Sequence, residues 1–269
     1  MRILLACDLE PHARNVAAFA LAIAAKFEAQ LTVYHAFGRP HVSMIDTPVE
    51  LREGKVLTAL TTLIKSVQAP GTAEVELRYK ADIDYPVDGI VDEAETGKYD
   101  LVICGLRERN EGEAQFSSLS YKILRECPAN VLAVPPQADF HGIDEIIFAT
   151  DLDNEDHDLL DDLQIWRERM DAELFVVHLY EDATQAEEAR RILSVWREEH
   201  AKTPRTFFET REGDFASDIG DYVRERGGDM LVLESAKRGF FERLFGHSAA
   251  EDVAHTTDVP LLVMRGVGK

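Results

Sequence analysis

The amino-acid sequence predicts an α/β protein built from two similar domains in tandem, each with a parallel sheet covered by helices on both faces. Three observations support this prediction. Short apolar segments alternate with amphipathic segments of roughly 10 to 20 residues, which is the pattern of strands and crossover helices. Short segments such as 146–149 and 174–177 are apolar at every position, as expected of strands buried on both faces. The third observation is an internal repeat.

The repeat relates residues 143 positions apart over the first part of each copy. Corresponding residues include Asp8 and Asp151, and His35 and His178. Farther along, the separation falls to 129, so that residues 99–103 correspond to 228–232 and the second copy is 14 residues shorter. Prolines and small polar residues interrupt the pattern near 135–142. We therefore expect a first domain at 1–137 and a second at 141–269.

The apolar and amphipathic segments place the elements of each copy in order. In the first copy, we predict strands at 2–7, 31–37, 73–80, 100–104 and 130–134, and helices at 11–28, 48–68, 85–97 and 117–126. In the second copy, we predict strands at 144–150, 173–179, 205–211, 229–233 and 260–264, and helices at 154–170, 183–200, 214–226 and 247–256. The loop 38–47 exists only in the first copy, and its length makes it a candidate lid or interaction loop.

Composition excludes several classes of partner. The formal net charge is -21 over 269 residues, which disfavours nucleic acid and anionic membrane surfaces because both require basic patches. No apolar run approaches the roughly 20 residues of a membrane span. The three cysteines, Cys7, Cys104 and Cys127, are odd in number and lack metal-ligand spacing. This usage predicts a reduced, cytoplasmic setting.

Several segments together resemble the universal stress protein family. Residues 3–8 and 146–151 resemble the first strand of that family, which ends in an aspartate, and 173–178 resemble its second strand. Residues 212–216 resemble the turn after its third strand, and 228–232 the lead into its phosphate loop. The resemblance covers essentially the whole chain, twice in the same order.

This resemblance implies two flavodoxin-like (Rossmann-like) domains, each with five parallel strands in the order 3-2-1-4-5. Family members act in stress survival and either bind ATP or have lost it. Single-domain members usually dimerise through the last strand. A tandem chain could make that contact between its own two domains, and the sequence leaves a homodimer and other protein partners open.

The phosphate loop of the family has the pattern Gly-x2-Gly-x9-Gly-Ser/Thr. In the second copy, its four positions hold Glu234, Lys237, His247 and Ser248. Only Ser248 fits, and Gly239 lies nearby but out of register. Glu234 would repel a phosphate 4 Å away by about 4 kcal/mol at an effective dielectric constant near 20, which is roughly three decades of affinity. Lys237 and Arg238 could offset this repulsion.

The first copy also keeps one position of the pattern. Its four positions hold Gly105, Glu108, Ser118 and Leu119, and of these only Gly105 fits the first glycine. Asp8 and Asp151 resemble the family aspartate that contacts the adenosine part of the nucleotide. An acid at a strand end can also cap the following helix, so both roles stay open for each aspartate.

The sequence predicts a stress-response protein that binds a ligand or a partner and is not an enzyme, because no nucleophile or base has a recognisable partner. We predict no metal site, since the histidines show no ligand spacing, and we interpret His35 and His178 as half-buried structural residues. The alternative is a nucleotide switch, with ATP and magnesium held in the second copy by Asp151, Lys237, Arg238 and Ser248.

Overall fold

A computed structural model describes residues 1–38, 49–106, 118–152, 154–234 and 258–265. The chain divides into two compact units, the first ending at Phe140 and the second beginning at His141. Each unit contains one five-stranded set of parallel strands with helices between them. The predicted helix 247–256 and the loop residues 39–47 lie outside the described residues.

In the first unit, strands and helices alternate along the chain. The strands are β1 (Arg2–Ala6), β2 (Gln30–Ala36), β3 (Leu77–Asp82), β4 (Leu101–Gly105) and β5 (Asn130–Val134). The helices are α1 (Ala13–Lys26), α2 (Val49–Val67), α3 (Pro86–Gly97) and α4 (Ser118–Glu126). The strand order is β3-β2-β1-β4-β5, and every pairing is parallel. The predicted fold class and strand order are therefore confirmed for this unit.

The second unit repeats the arrangement. Its strands are β6 (Glu145–Ala149), β7 (Glu173–Tyr180), β8 (Thr206–Glu212), β9 (Met230–Glu234) and β10 (Leu261–Met264). Its described helices are α5 (Asn154–Met170), α6 (Ala183–Glu199) and α7 (Phe215–Arg226). The order β8-β7-β6-β9-β10, again with parallel pairings, corresponds to 3-2-1-4-5.

The third strand of the first unit begins later than the sequence predicts. We expected a strand over 73–80, whereas β3 covers Leu77–Asp82 and follows a short 3-10 turn at Pro70–Thr72. The reason is the length of its neighbour. β2 begins at Gln30, and its pairing with β3 starts where Leu31 aligns with Leu77, so earlier residues have no strand beside them to complete a ladder.

The central strands form the core because both of their faces are covered. Ile3, Leu4 and Leu5 of β1 are buried, as are the corresponding residues of β6. On α1, Ala17, Ala20 and Ala24 are also buried. Their spacing of three and four residues places them on one helix face. Small side chains on that face allow the helix to pack closely against the sheet.

The two units share unusual backbone conformations as well as their topology. Three pairs of corresponding residues adopt positive φ: Leu9 with Leu152, Glu28 with Asp171, and Lys98 with Gly227. Positive φ is uncommon for residues other than glycine. Lys98 and Gly227 end α3 and α7 in the left-handed conformation typical of helix C-termini. The repeat therefore extends to the turns that connect strands and helices.

Candidate functional site

A cavity of about 150 Å³ lies in the first unit at the carboxyl ends of β1, β2 and β4. In parallel α/β sheets, ligands bind at this edge, where the strand order reverses. The polar part of the lining comprises Cys7, Asp8, Tyr34, His35, Cys104 and Ser120. Ala6, Ala36, Ile90 and Ile123 form much of the apolar part, and Gly105 completes the edge beside Asp8. The structure thus brings Asp8 and Gly105 to one cavity.

Asp8 lies in the tight turn between β1 and α1. Its Oδ1 accepts a hydrogen bond from the backbone N–H of Glu10 at 3.0 Å. Its Oδ2 also contacts Nε2 of His12 at 3.2 Å, without the geometry of a hydrogen bond. The side chain keeps 29% of its surface exposed, so the carboxylate stabilises its own turn while still facing the cavity.

His12 is a residue of this site that sequence reasoning missed. It directly precedes α1 and packs over Gly105. A Cβ atom built on Gly105 would lie 3.0 Å from Cδ2 of His12 and 3.0 Å from a methyl group of Val16. A side chain at position 105 would therefore crowd His12 and Val16. Neither Asp8 nor His12 lies within α1, which begins at Ala13, so no helical spacing in the sequence identifies the contact.

His35 and His178 make the same bond in the two units. Nδ1 of His35 lies 2.6 Å from the carbonyl oxygen of Cys7, and Nδ1 of His178 lies 2.9 Å from that of Thr150. A carbonyl oxygen can only accept, so Nδ1 donates in each case. Both rings are half-buried. Each histidine ties its strand to the residue just before the site aspartate, in agreement with the predicted structural role.

The cavity thiols are held in their protonated form. Burial raises the pKa of Cys7 from its ordinary value of 9.0 to about 11. Burial likewise raises the pKa of Cys104 to about 12, and the nearby carboxylate of Asp8 contributes in the same direction to both. None of Cys7, Cys104 and Cys127 forms a disulfide bond. A thiol rather than a thiolate at neutral pH is a poor nucleophile.

Acidic residues surround the opposite wall of the cavity, formed by Tyr34. Burial raises the pKa of Tyr34, and the carboxylates of Asp82, Glu93 and Asp84 raise it further. Lys80 lies 3.0 Å from a carboxylate oxygen of Asp82 and 2.6 Å from one of Glu93. Lys80 therefore contacts two of the three acids that act on Tyr34.

The second unit carries different groups at the corresponding positions. Asp151 is exposed after β6, and Oγ1 of Thr150 accepts the backbone N–H of Leu152 at 2.8 Å. Glu234, the last residue of β9, stands where β4 has Gly105, and it is only 5% exposed. The other predicted residues, Lys237, Arg238, Gly239 and Ser248, lie outside the described residues.

Among the described residues, no group of three or more His, Cys, Asp or Glu side chains is arranged to hold a metal ion. No helix in the described ranges is both long enough and apolar enough to cross a bilayer.

The fold is a tandem of two doubly wound α/β domains, in which ligand sites characteristically lie at the carboxyl ends of the strands. The sequence model of the Universal stress protein family matches the chain twice, at residues 1–135 and 142–265. The chain belongs to the universal stress protein family.

Solved structures agree on the fold. A universal stress protein from Archaeoglobus fulgidus DSM 4304 is 17% identical, with a TM-score of 0.73 and 98% of each chain covered. A functionally unknown protein from Pseudomonas aeruginosa PAO1 is 18% identical, with a TM-score of 0.68 and coverage of 98% of this chain and 92% of that one. No curated protein sequence matches the chain.

Proposed function

We propose that the protein acts in stress response by binding a small ligand or a protein partner, without catalysing a reaction, and that the ATP loop is degenerate in both domains. One observation carries the proposal. Glu234 is buried at the end of β9, at the position where a phosphate loop needs a glycine. A glycine there would let backbone N–H groups approach phosphate oxygens.

The replacement of glycine by a carboxylate is expected to weaken nucleotide binding. A carboxylate 4 Å from a phosphate charge opposes binding by about 4 kcal/mol at an effective dielectric constant of 20. That energy corresponds to roughly three decades of affinity.

The first domain supports the same conclusion by a different route. Gly105 is present, but the His12 ring packs on it. The cavity beside it measures about 150 Å³, below the roughly 300 to 1,000 Å³ of pockets for drug-sized ligands. A small ligand suits this site better than a nucleoside triphosphate.

The absence of catalysis is proposed from the state of the candidate reactive groups. Cys7 and Cys104 are protonated thiols at neutral pH because burial raises their pKa values. His35 and His178 each use Nδ1 to bond a backbone carbonyl. These contacts favour structural roles for the side chains that would otherwise be the strongest candidates for chemistry.

A nucleotide-dependent switch in the second domain is the alternative. The observation that favours it is the exposed carboxylate of Asp151 at the end of β6, where the family aspartate contacts adenosine. Lys237, Arg238 and Ser248 would then hold the phosphates, with magnesium bound to the phosphates.

We further propose domain limits of 1–137 and 141–269 and a cytoplasmic setting. Pairing with a second chain stays a prediction.

Native mass spectrometry of the full chain with magnesium-ATP tests the proposal. We expect the mass of the protein alone. One nucleotide per chain would overturn the proposal, and a strong loss of that nucleotide in Lys237→Glu would support the contacts of the alternative, which an unchanged affinity would rule out. Steady ATP hydrolysis abolished by Asp8→Ala or Asp151→Ala would overturn the non-enzymatic part.

A further inference from the structure

The cavity of the first domain has the size of a single aromatic ring. Its volume of about 150 Å³ is that of a protein cavity known to bind benzene. Apolar side chains form several of its walls: Ala6, Ala36, Pro86, Ile90 and Ile123. Such walls favour an apolar group, because its burial removes apolar surface from water. The size and the walls together predict a ligand with one ring.

The acidic side chains of the lining are either uncharged or already engaged. Burial raises the pKa of Cys7 to about 11 and that of Cys104 to about 12, so both thiols are uncharged near neutral pH. Asp8 accepts the backbone N–H of Glu10 and contacts His12. Among the described residues, no lysine or arginine lines the cavity. An ion would lose its hydration there without gaining an opposite charge of its own, so an uncharged ligand fits best.

One ring nitrogen of His35 is available to a ligand. Nδ1 donates to the carbonyl oxygen of Cys7 at 2.6 Å, so Nε2 of the neutral ring is an acceptor. Nε2 has no hydrogen-bond partner in the part of the chain that the structure describes, and it is not one of the buried unsatisfied atoms of that part. Since His35 lines the cavity, a donor group on the ligand can reach this acceptor.

We propose that this cavity binds an uncharged ligand with one aromatic ring and one hydroxyl group, with the ring between the apolar walls and the hydroxyl donating a hydrogen bond to Nε2 of His35. The inference rests on the proposed function and names its class of ligand. Burial of the ring supplies the apolar contribution to affinity. The hydrogen bond supplies selectivity, because a ligand without a donor would cover Nε2 and leave it unpaired.

Three probes separate the hydroxyl group from the ring: phenol has the donor, toluene has a methyl group in its place, and benzoate carries a negative charge. Each is titrated into the full chain at about pH 8, above the usual titration range of histidine and below that of a phenolic hydroxyl, and binding is followed by NMR. We expect phenol to bind at least as tightly as toluene, because only phenol gives Nε2 a donor. Benzoate should bind about tenfold more weakly than phenol, since its carboxylate loses hydration and has no proton to donate.

The position of the ring is read in the unaltered protein. In the complex with phenol, we expect nuclear Overhauser effects between the protons of the phenol ring and the methyl groups of Ile90 and Ile123, which line the cavity. This measurement does not depend on whether any variant folds.

Two matched variants test the hydrogen bond. His35→Asn keeps a donor near Nδ1 for the carbonyl of Cys7 and has no atom at the position of Nε2. We therefore expect it to weaken phenol binding about tenfold and not to weaken toluene binding. His178→Asn, at the corresponding position of the second domain, is the control and should change neither. Ala36→Leu, which fills the cavity, should abolish binding of both probes.

The outcomes decide the inference separately from the proposed function. No phenol binding up to about 10 mM, benzoate binding as tightly as phenol, or no Overhauser effect to Ile90 and Ile123 at saturation would each overturn the inference. Unchanged phenol affinity in His35→Asn, or an equal loss in His178→Asn, would do the same. The proposed function would stand in all these cases if the protein also failed to bind ATP. One bound ATP per chain would overturn the proposed function whatever the probes do.

Discussion

The two domains end their fourth strands differently. β4 ends at Gly105, which has no side chain and is covered by His12, whereas β9 ends at Glu234, whose carboxylate is buried. The same contrast affects the aspartate after the first strand, since Asp8 contacts His12 while Asp151 is exposed. Strand register and turn geometry fix which positions meet at the edge of the sheet. They leave the chemistry of those positions free to differ between the copies.

The largest expected effect tests whether the buried cores of the two domains contribute equally to stability. Leu31 and Leu174 occupy corresponding positions on β2 and β7, and both are fully buried. We expect Leu31→Ala and Leu174→Ala each to lower the free energy of unfolding by about 3 kcal/mol, because each leaves a cavity. Urea unfolding gives the values, with the exposed Leu51→Ala as a near-neutral control. A loss of unfolding free energy below about 1 kcal/mol for either core variant would show that the cores of the two domains are not equivalent.

The second test concerns the contact unique to the first domain. Gly105→Ala forces a Cβ atom against His12 and Val16, and we expect it to cost about 2 kcal/mol of unfolding free energy through overpacking. The double variant His12→Ala with Gly105→Ala should recover part of that cost, which a double-mutant cycle measures. Simple additivity of the two changes would mean that His12 does not constrain Gly105.

The histidine bonds offer a test in which the two domains should behave alike. His35→Phe and His178→Phe each leave a carbonyl without its donor, and we expect each to cost about 1.5 kcal/mol. The variants His35→Asn and His178→Asn keep a donor near the position of Nδ1 and should cost less. A large loss in one domain and none in the other would mean that the repeated bond has different roles.

The smallest expected effect is a contribution to the pH dependence of stability that the first domain has and the second lacks. Cys7 stands where the second domain has Thr150, and burial raises the pKa of Cys7 from 9.0 to about 11. The folded state therefore keeps this proton when the unfolded state has lost it, so the contribution is present below pH 9 and disappears toward pH 11.

We expect the thiol of Cys7 to account for a loss of about 1 kcal/mol between pH 8 and pH 10. The control is Cys7→Thr, which copies the second domain and should show a correspondingly smaller loss. Urea unfolding at the two pH values measures the difference between the proteins. An identical pH dependence for both would contradict the assignment to Cys7.

The repeat made the fold predictable, while the site was predictable only in part. The pairs Asp8 with Asp151 and Gly105 with Glu234 follow from sequence offsets alone. The packing of His12 on Gly105 does not, because it depends on how closely α1 approaches β4. The acids near Tyr34 were also missed, since β3, α3 and the turn between them bring Asp82, Glu93 and Asp84 together only in three dimensions. The predicted start of β3 was wrong because strand pairing, and not local composition, determines where the strand begins.

The repeated histidine bond gives each domain its own spectroscopic reporter. An imidazole proton on Nδ1 that is donated to a backbone carbonyl exchanges with water when that hydrogen bond opens. The exchange rates of the His35 and His178 ring protons in nitrogen-labelled protein therefore measure local opening in the first and second domains independently, within one sample. A ligand in either site would slow its own reporter and leave the other unchanged.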